Sequence, residues 1–253
     1  MCTLSLVVES SSPSQSYLLA MNRDERIARG AGNLPELHQV AGVRALYPSD
    51  GASNGEEGTW IACNEFGITL ALLNWNEPVT PLPTKARSRG ALIPSLAGSR
   101  TLGEVQAAMN EVDLSLVKPF RLAGIFPGEQ TVREWRWDAR NLEPIDLPWK
   151  SQHWFSSSLG DDRALHVRGA TCRDAWKEPD AGSSDWLRKL HSFHDPAGAI
   201  GPCVHRDDVR TLTFTEIQCT DDRMAMRHFV GNPCAAGDLQ LSEIRRAPAL
   251  QSF

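Results

Sequence analysis

The sequence predicts an α+β fold of mainly antiparallel sheets packed together and flanked by helices. Three observations carry this. The elements run strands, helices, strands, helices, strands, rather than alternating one by one. Several strands are apolar at consecutive positions, so both their faces are covered. Short turn-rich segments join strands into hairpins. The 253 residues suit a single domain spanning 1–253.

The elements follow in order. Thr3 to Val8 and Tyr17 to Met21 are apolar runs separated by Glu9 to Ser16, which has turn composition. Thr59 to Cys63 and Ile68 to Asn74 make a second hairpin about Asn64-Glu65-Phe66-Gly67, with glycine where a left-handed residue is needed. Pro78 to Thr84 is a proline-rich loop. Arg89 to Ala97 is a helix that Pro94 should kink or break. Thr101-Leu102-Gly103-Glu104 is a capping box opening a helix to about Met109. Phe120 to Phe126, Thr131 to Trp137 and His153 to Leu159 read as strands. Arg163 to Trp176 and Ser184 to Phe193 read as helices; in the second, Trp186, Leu187, Leu190 and Phe193 share a face. Thr211 to Cys219 and Met224 to Val230 form a third hairpin.

Composition excludes several classes of function. Net charge is -5 and no Lys/Arg block occurs, which argues against nucleic acid as the partner. No apolar stretch nears the roughly 20 residues of a membrane span. The first residues have no basic region and too short an apolar run for a signal peptide, so a cytoplasmic location is expected. Six cysteines without a Cys-x-x-Cys pair read as free thiols, four or five of them buried.

The chemistry concentrates at the N-terminus. Folding the first hairpin back about Ser12 or Pro13 brings Asn22 to Asp24 opposite Cys2 and Thr3, in a register that the sequence does not fix. A small residue at position 2 permits removal of Met1, which would leave Cys2 with both a thiol and a free α-amine. The amine, with a reference pKa near 8, can take the thiol proton, so one residue is nucleophile and general base. A nearby Arg would favour the thiolate and an Asp would orient the ammonium.

Met1-Cys2-Thr3-Leu4, Asn22-Arg23-Asp24-Glu25, Gly58-Thr59-Trp60, Asn74 and Arg89-Gly90 together resemble the NRDE family, which includes the transport and Golgi organisation protein 2 homologues. That family is similar to the cysteine-type N-terminal-nucleophile (Ntn) hydrolases, such as penicillin V acylase and bile salt hydrolase. The resemblance implies a four-layer αββα sandwich of two mainly antiparallel sheets and cleavage of a small non-peptide amide. It makes Cys2 the nucleophile, Asp24 the holder of its α-amine and Asn74 an oxyanion-hole donor. Asn22, Trp60 and Trp75 are expected to bind substrate. The acylases carry an Arg three residues before the Asp, where this chain has Met21; Arg23 could replace it but is expected to point to the opposite sheet face. Their later oxyanion Asn has no evident counterpart, although Ser156-Ser157-Ser158 lies about where it should be.

Two other functions compete. Some NRDE relatives are linked to intracellular haem handling and others to lipid or coenzyme A metabolism, so the same pocket could serve a non-catalytic carrier of haem or another apolar cofactor. A trafficking scaffold finds no coiled coil or basic stripe to support it. No resident cofactor is expected. His191-x-x-His194-Asp195 and Cys203-x-His205 have ligand-like spacing, but neither shows a third or fourth ligand, so no metal is expected. Cys63, mid-strand, reads as core.

Overall fold

The computed structural model describes residues 2–8, 15–51, 58–78, 86–235 and 237–248. Met1, most of the turn after Val8 and most of the proline-rich loop from Pro78 lie outside these residues.

The first hairpin pairs β1 (Cys2–Val8) with β2 (Tyr17–Arg26), in a register that sets Cys2 against Arg23 and Thr3 against Asn22. β2 runs past Met21, so the Asn-Arg-Asp-Glu segment lies inside a strand, not at its end. A short 3-10 turn, Ile27–Arg29, follows. β3 (Glu36–Val40) and β4 (Val43–Tyr47) come next, then β5 (Ile61–Asn64) and β6 (Thr69–Asn74). Helices α1 (Leu92–Leu96) and α2 (Leu102–Asn110) lead to β7 (Phe120–Phe126), β8 (Thr131–Trp137), β9 (Leu142–Pro148) and β10 (Gln152–Ser156). Helices α3 (Asp161–Ala175) and α4 (Ser184–Ser192) precede β11 (Val209–Cys219), β12 (Arg223–Val230) and β13 (Gln240–Arg245).

Two sheets result, of order β10-β1-β2-β11-β12-β13 and β3-β4-β5-β6-β7-β8-β9, antiparallel between every pair of neighbours. Alternation along each strand sorts the side chains into three apolar layers. Leu4, Leu6, Leu19 and Met21 of the first sheet meet Ile61, Leu73, Ala123 and Ile125 of the second in the central layer. Leu70, Leu72, Leu122 and Trp135 face α1 and α2. Val7, Ala20, Phe155 and Phe214 face α3 and α4, which contribute Ala164, Cys172, Trp186 and Leu190. The architecture is therefore a four-layer αββα sandwich of two antiparallel sheets.

Local chemistry explains most boundaries. Thr101 caps α2 through the Glu104 N–H at 3.1 Å. Pro94 sits in the first turn of the short α1, where its missing N–H costs nothing, so no kink is needed. β10 stops at Ser156 rather than Leu159, because the Ser157 N–H turns to the Asp161 carboxylate at 2.7 Å. Four strands were not expected from the sequence: β3, β4, β9 and β13. Three are sheet edges, with polar or proline-containing sequences. β3 and β4 turn through Ala41 and Gly42, both at positive φ. No helix among the described residues is long and apolar enough to cross a membrane. All six cysteines are free, and five are buried, Cys63 among them.

The face of β1 toward the helices carries a chain of neutral polar groups. Trp176 Nε1 donates to His153 Nε2 at 2.9 Å, so His153 holds its proton on Nδ1 and passes it toward Ser5 Oγ at 2.8 Å. Ser5 in turn meets His191 Nε2 at 2.9 Å. Burial lowers the pKa of His153 to about 4 and of His191 to about 3. The unfolded chain, with both near 6.5, binds these protons first as pH falls, so their contribution to stability is present above that value and lost below it. Acidification from pH 7 to 5 is expected to remove about 3 to 4 kcal/mol of unfolding free energy through these two rings. Urea titrations at the two pH values measure it; equal midpoints would contradict the neutral assignment.

Candidate active site

β1 and β2 are two-faced, and the site is divided accordingly. Residues directly opposed in an antiparallel pair share a face, so Arg23 stands beside Cys2 on the side toward the second sheet. This corrects the expectation that Arg23 points away: Met21 and Arg23 are two apart on one strand and therefore project together. Ser156, the partner of Cys2 on the other edge of β1, flanks it across β10. Its buried Oγ has no hydrogen-bond partner.

Cys2 lies at the base of a small cavity of about 70 Å³, walled by Arg23, Asp24, Trp60, Asn74 and Arg89 among others. Arg23 lies over the Trp60 ring, 4.5 Å from its centroid, and donates to the Gly30 carbonyl at 3.1 Å. Arg29 closes one side, bonded to Glu25 at 3.0 Å and to Asp50 at 2.9 Å. Asp50 reaches across to the Gly58 N–H at 3.2 Å. Gly58 and Gly90 pack backbone to backbone; a Cβ on Gly58 would sit 2.9 Å from the Gly90 Cα, so this wall needs glycine at both places. The Thr59 N–H completes it by donating to the Gly90 carbonyl at 3.0 Å.

Burial dominates the electrostatics. It raises the Cys2 thiol pKa, against the pull of positive charge that includes Arg23. It also lowers the pKa of Arg23 and of Arg89, each offset in part by the negative groups around it. The thiol is therefore held protonated at rest. The cavity opens into a larger cleft of about 610 Å³, whose walls include Arg26, Arg29, Arg89, Lys118, Ser158 and Arg206.

Behind the sheet, on the face toward α3, lies the support. Arg168 is fully buried. Its guanidinium donates to Asp24 Oδ2 at 3.1 Å, to the Cys2 carbonyl at 3.0 Å, to Thr3 Oγ1 at 2.8 Å and to the Ile200 carbonyl at 2.9 Å. Asp24 Oδ1 accepts from Thr211 at 2.6 Å. A β-bulge between Thr211 and Thr213 makes that bond possible, by turning Thr211 toward Asp24 where β11 leaves its register with β2.

The structure thus brings Cys2, Arg23, Asp24, Asn74 and Trp60 together around one cavity. It does not bring Asn22 or Trp75 into its lining. Asn22 is fully buried on the helix face and holds the His191 and Pro202 carbonyls, each at 2.8 Å. Trp75 turns toward Glu77, its Nε1 3.3 Å from the carboxylate. Asn76, not Trp75, ties this segment to the rest, through two bonds to Asp161 at 2.8 and 2.9 Å.

Sequence reasoning missed Arg168, Arg29 and Asp50. The signal for Arg168 was present: Ala164, Arg168 and Cys172, spaced by four, form the buried stripe of α3, and an arginine in such a stripe needs an acidic partner. Replacing Arg168 by Met leaves Asp24 as a buried charge without this partner, and a loss of about 3 to 5 kcal/mol of unfolding free energy is expected. Denaturant unfolding measures it, with the exposed Arg163→Ala on the same helix expected to change stability by less than about 0.5 kcal/mol.

Comparison with solved structures finds the same architecture in two variants of the conjugated bile acid hydrolase from Clostridium perfringens. One superimposes with a TM-score of 0.53 over 97% of this chain and 92% of its own, at 12% identity. The other gives 0.52 over 100% and 99%, again at 12% identity. At that identity the likeness is one of fold. No curated protein matches the sequence. The family model described as Transport and Golgi organisation 2 matches residues 1–158, the stretch that holds Cys2, the Asn-Arg-Asp-Glu segment, Trp60, Asn74 and Arg89. On that match the chain belongs to the transport and Golgi organisation 2 family.

Proposed function

We propose that the protein is an N-terminal cysteine amidohydrolase acting on a small non-peptide amide, with Cys2 exposed by removal of Met1. The observation that carries this reading is the position of Cys2: first residue of a central strand, at the base of a cavity, with Arg23, Asp24 and Asn74 around it.

The chemistry follows from the groups present. A thiol whose pKa is raised by burial needs a base at the moment of attack. The α-amine freed on Cys2 is that base, placed by the hold of Arg168 on the Cys2 carbonyl. As sulfur bonds to the amide carbonyl carbon, the thiol proton passes to the amine. The carbonyl oxygen gains negative charge, which the Asn74 carboxamide and the nearby arginines stabilise. The C–N bond then breaks, the leaving nitrogen takes the proton from the ammonium, and water hydrolyses the thioester to release the acid and restore the thiol. Asp24, fixed by Arg168 and Thr211, holds the amine in its ammonium form during the first half. The adjoining cleft carries Arg26, Arg29, Arg89, Lys118 and Arg206 against Asp24, Glu25 and Asp208, with Arg206 paired to Asp208. The excess of cations, Arg89 and Lys118 among them, favours an acyl or amine part that carries a carboxylate or phosphate.

The alternative, a carrier of haem or another apolar cofactor, finds less support. The cavity at Cys2 is small and its walls are largely charged or polar, whereas sites for apolar ligands are mostly lined by hydrophobic side chains.

Two measurements test the proposal. Intact mass of active protein is expected to lack Met1; active material that retains it would overturn the mechanism, because the base would be an amide. Cys2→Ala is expected to abolish turnover of a panel of anionic amides and to remove the probe-labelled peptide that carries residue 2, while the exposed Cys234 still labels. Cys63→Ala, a buried position with its thiol pKa pushed far up, is expected to leave turnover within about threefold of the parent. Hydrolysis that survives in Cys2→Ala would remove Cys2 from the reaction.

A further inference from the structure

A second cluster of soft ligand groups lies beyond the start of β11 and the end of β12, the strands next in order after β1 and β2. It comprises Cys203, His205, Cys234 and His194, drawn from three segments of the chain. His194 follows α4, Cys203 and His205 precede β11, and Cys234 follows β12. The ligand atoms of His194, His205 and Cys234 all lie within 4.8 Å of one another. Cys203 Sγ is 3.8 Å from Cys234 Sγ and 3.4 Å from His205 Nε2, and Cys234 Sγ is 3.1 Å from the same nitrogen.

These separations have a meaning. In a tetrahedral zinc site with Zn–S near 2.3 Å and Zn–N near 2.05 Å, two sulfurs stand about 3.8 Å apart and a sulfur and a nitrogen about 3.6 Å. The sulfur pair matches that edge. It is too far apart for a disulfide, which needs about 2.05 Å. The sulfur–nitrogen distances fall slightly short of theirs, as hydrogen-bonded donors do before a cation draws them around itself. The backbone already holds the groups in place. The Asp195 carboxylate accepts from the N–H groups of Ala197, Ala199, Ile200 and Gly201, at 2.8 to 3.3 Å. The His205 N–H donates to the Gly198 carbonyl at 2.7 Å, and that of Cys203 to Phe193 at 2.9 Å. Ser192 Oγ secures the third segment by donating to the Pro233 carbonyl at 2.9 Å. The Asn232 carboxamide lies 3.4 Å from His205 Nδ1. Turned with its oxygen inward, it accepts the Nδ1 proton and leaves the Nε2 lone pair for a metal.

We propose that Cys203, His205, Cys234 and His194 form a binding site for one zinc-class divalent cation. His194, His205 and Cys234 are already gathered. Cys203, close to His205 and Cys234 but outside that group of three, has to swing in for two thiolates and two neutral imidazoles to close a tetrahedral shell, as in structural zinc sites. Both thiols give their protons to solvent on binding, and the complex carries no net charge. The role is to staple the loop from His194 to His205. That loop supplies the Ile200 carbonyl to Arg168 and the Pro202 carbonyl to Asn22, so the metal braces the back of the Cys2 site from outside. The proposal does not depend on the amidohydrolase reading.

The test uses the full chain, reduced and freed of metal, titrated with Co²⁺. One equivalent is expected to bind, with thiolate-to-cobalt charge-transfer absorption and the intense d–d bands of tetrahedral cobalt, and to be displaced by one Zn²⁺. Cys234→Ser and His194→Ala, both at exposed positions, are expected to weaken binding at least tenfold while preserving the circular dichroism of the parent. Cys219→Ala, a buried thiol outside the cluster, is expected to bind as the parent does. Reduced parent protein that takes up no Co²⁺ would overturn the proposal. So would unchanged affinity in both cluster variants, or a Cys203–Cys234 disulfide that forms in air in the presence of an equivalent of Zn²⁺.

Discussion

The contact on which this structure turns is the buried pair of Arg168 and Asp24. Neither side chain touches solvent. An ion pair in that position costs several kcal/mol per charge to desolvate, and is tolerated only when other hydrogen bonds complete it. Here they do. Arg168 spreads its donors over an acid, a hydroxyl and two main-chain carbonyls, while Asp24 takes its second bond from Thr211. One guanidinium thereby joins β1, β2, α3 and the loop before β11. The planar fork of arginine does this in a way that a lysine ammonium cannot. Such a network adds less to stability than an apolar cluster of equal volume would. Its effect is specificity: the first residue of β1 has one position relative to the third polar residue of the Asn-Arg-Asp-Glu segment.

This arrangement divides the labour of that segment between two faces. Arg23 and Cys2 look into the cavity, while Asn22 and Asp24 look toward the helices. The motif is compact in sequence because a strand alternates. Half of it faces the cavity and half faces the scaffold. Asp24 belongs to both, since it borders the cavity while its carboxylate is anchored behind it.

The sequence made the hairpins, the helices and the residues at Cys2 legible, because each rests on local chemistry: turn composition, a capping box, consecutive apolar positions. Hairpin geometry placed residues 22 to 24 opposite residues 2 and 3, but the register, Cys2 against Arg23, was not fixed by the sequence. What was not legible depends on distant partners. β3, β9 and β13 are sheet edges, which need little apolar character and so resemble loops. Arg168 lies 144 residues from Asp24, and no local pattern joins them. Asn22 was read as a ligand contact because it is polar and beside Cys2; strand alternation sends it to the other face, where two backbone carbonyls need donors. The Cys203, His205 and Cys234 cluster was invisible for the same reason. Cys234 lies 29 residues from His205, and only the β11–β12 hairpin brings them together.

The raised thiol pKa and the buried guanidinium are two consequences of one constraint. A thiol at the head of an inner strand is packed between layers, and packing penalises its charged form. Arg23 opposes that penalty only in part, its guanidinium lying over the Trp60 face and bonded to the Gly30 carbonyl. Burial therefore works against the thiolate, the form in which a cysteine attacks. In the proposed mechanism activation comes from a base that travels with the residue. An α-amine meets that need, because it is bonded to the same Cα and cannot be mispositioned by packing elsewhere. It needs only a main chain that is held still, and the bond from Arg168 to the Cys2 carbonyl holds it. On this argument the strictest requirement of the site falls on the backbone of residue 2, and the residue that meets it lies on the far side of the sheet from the chemistry.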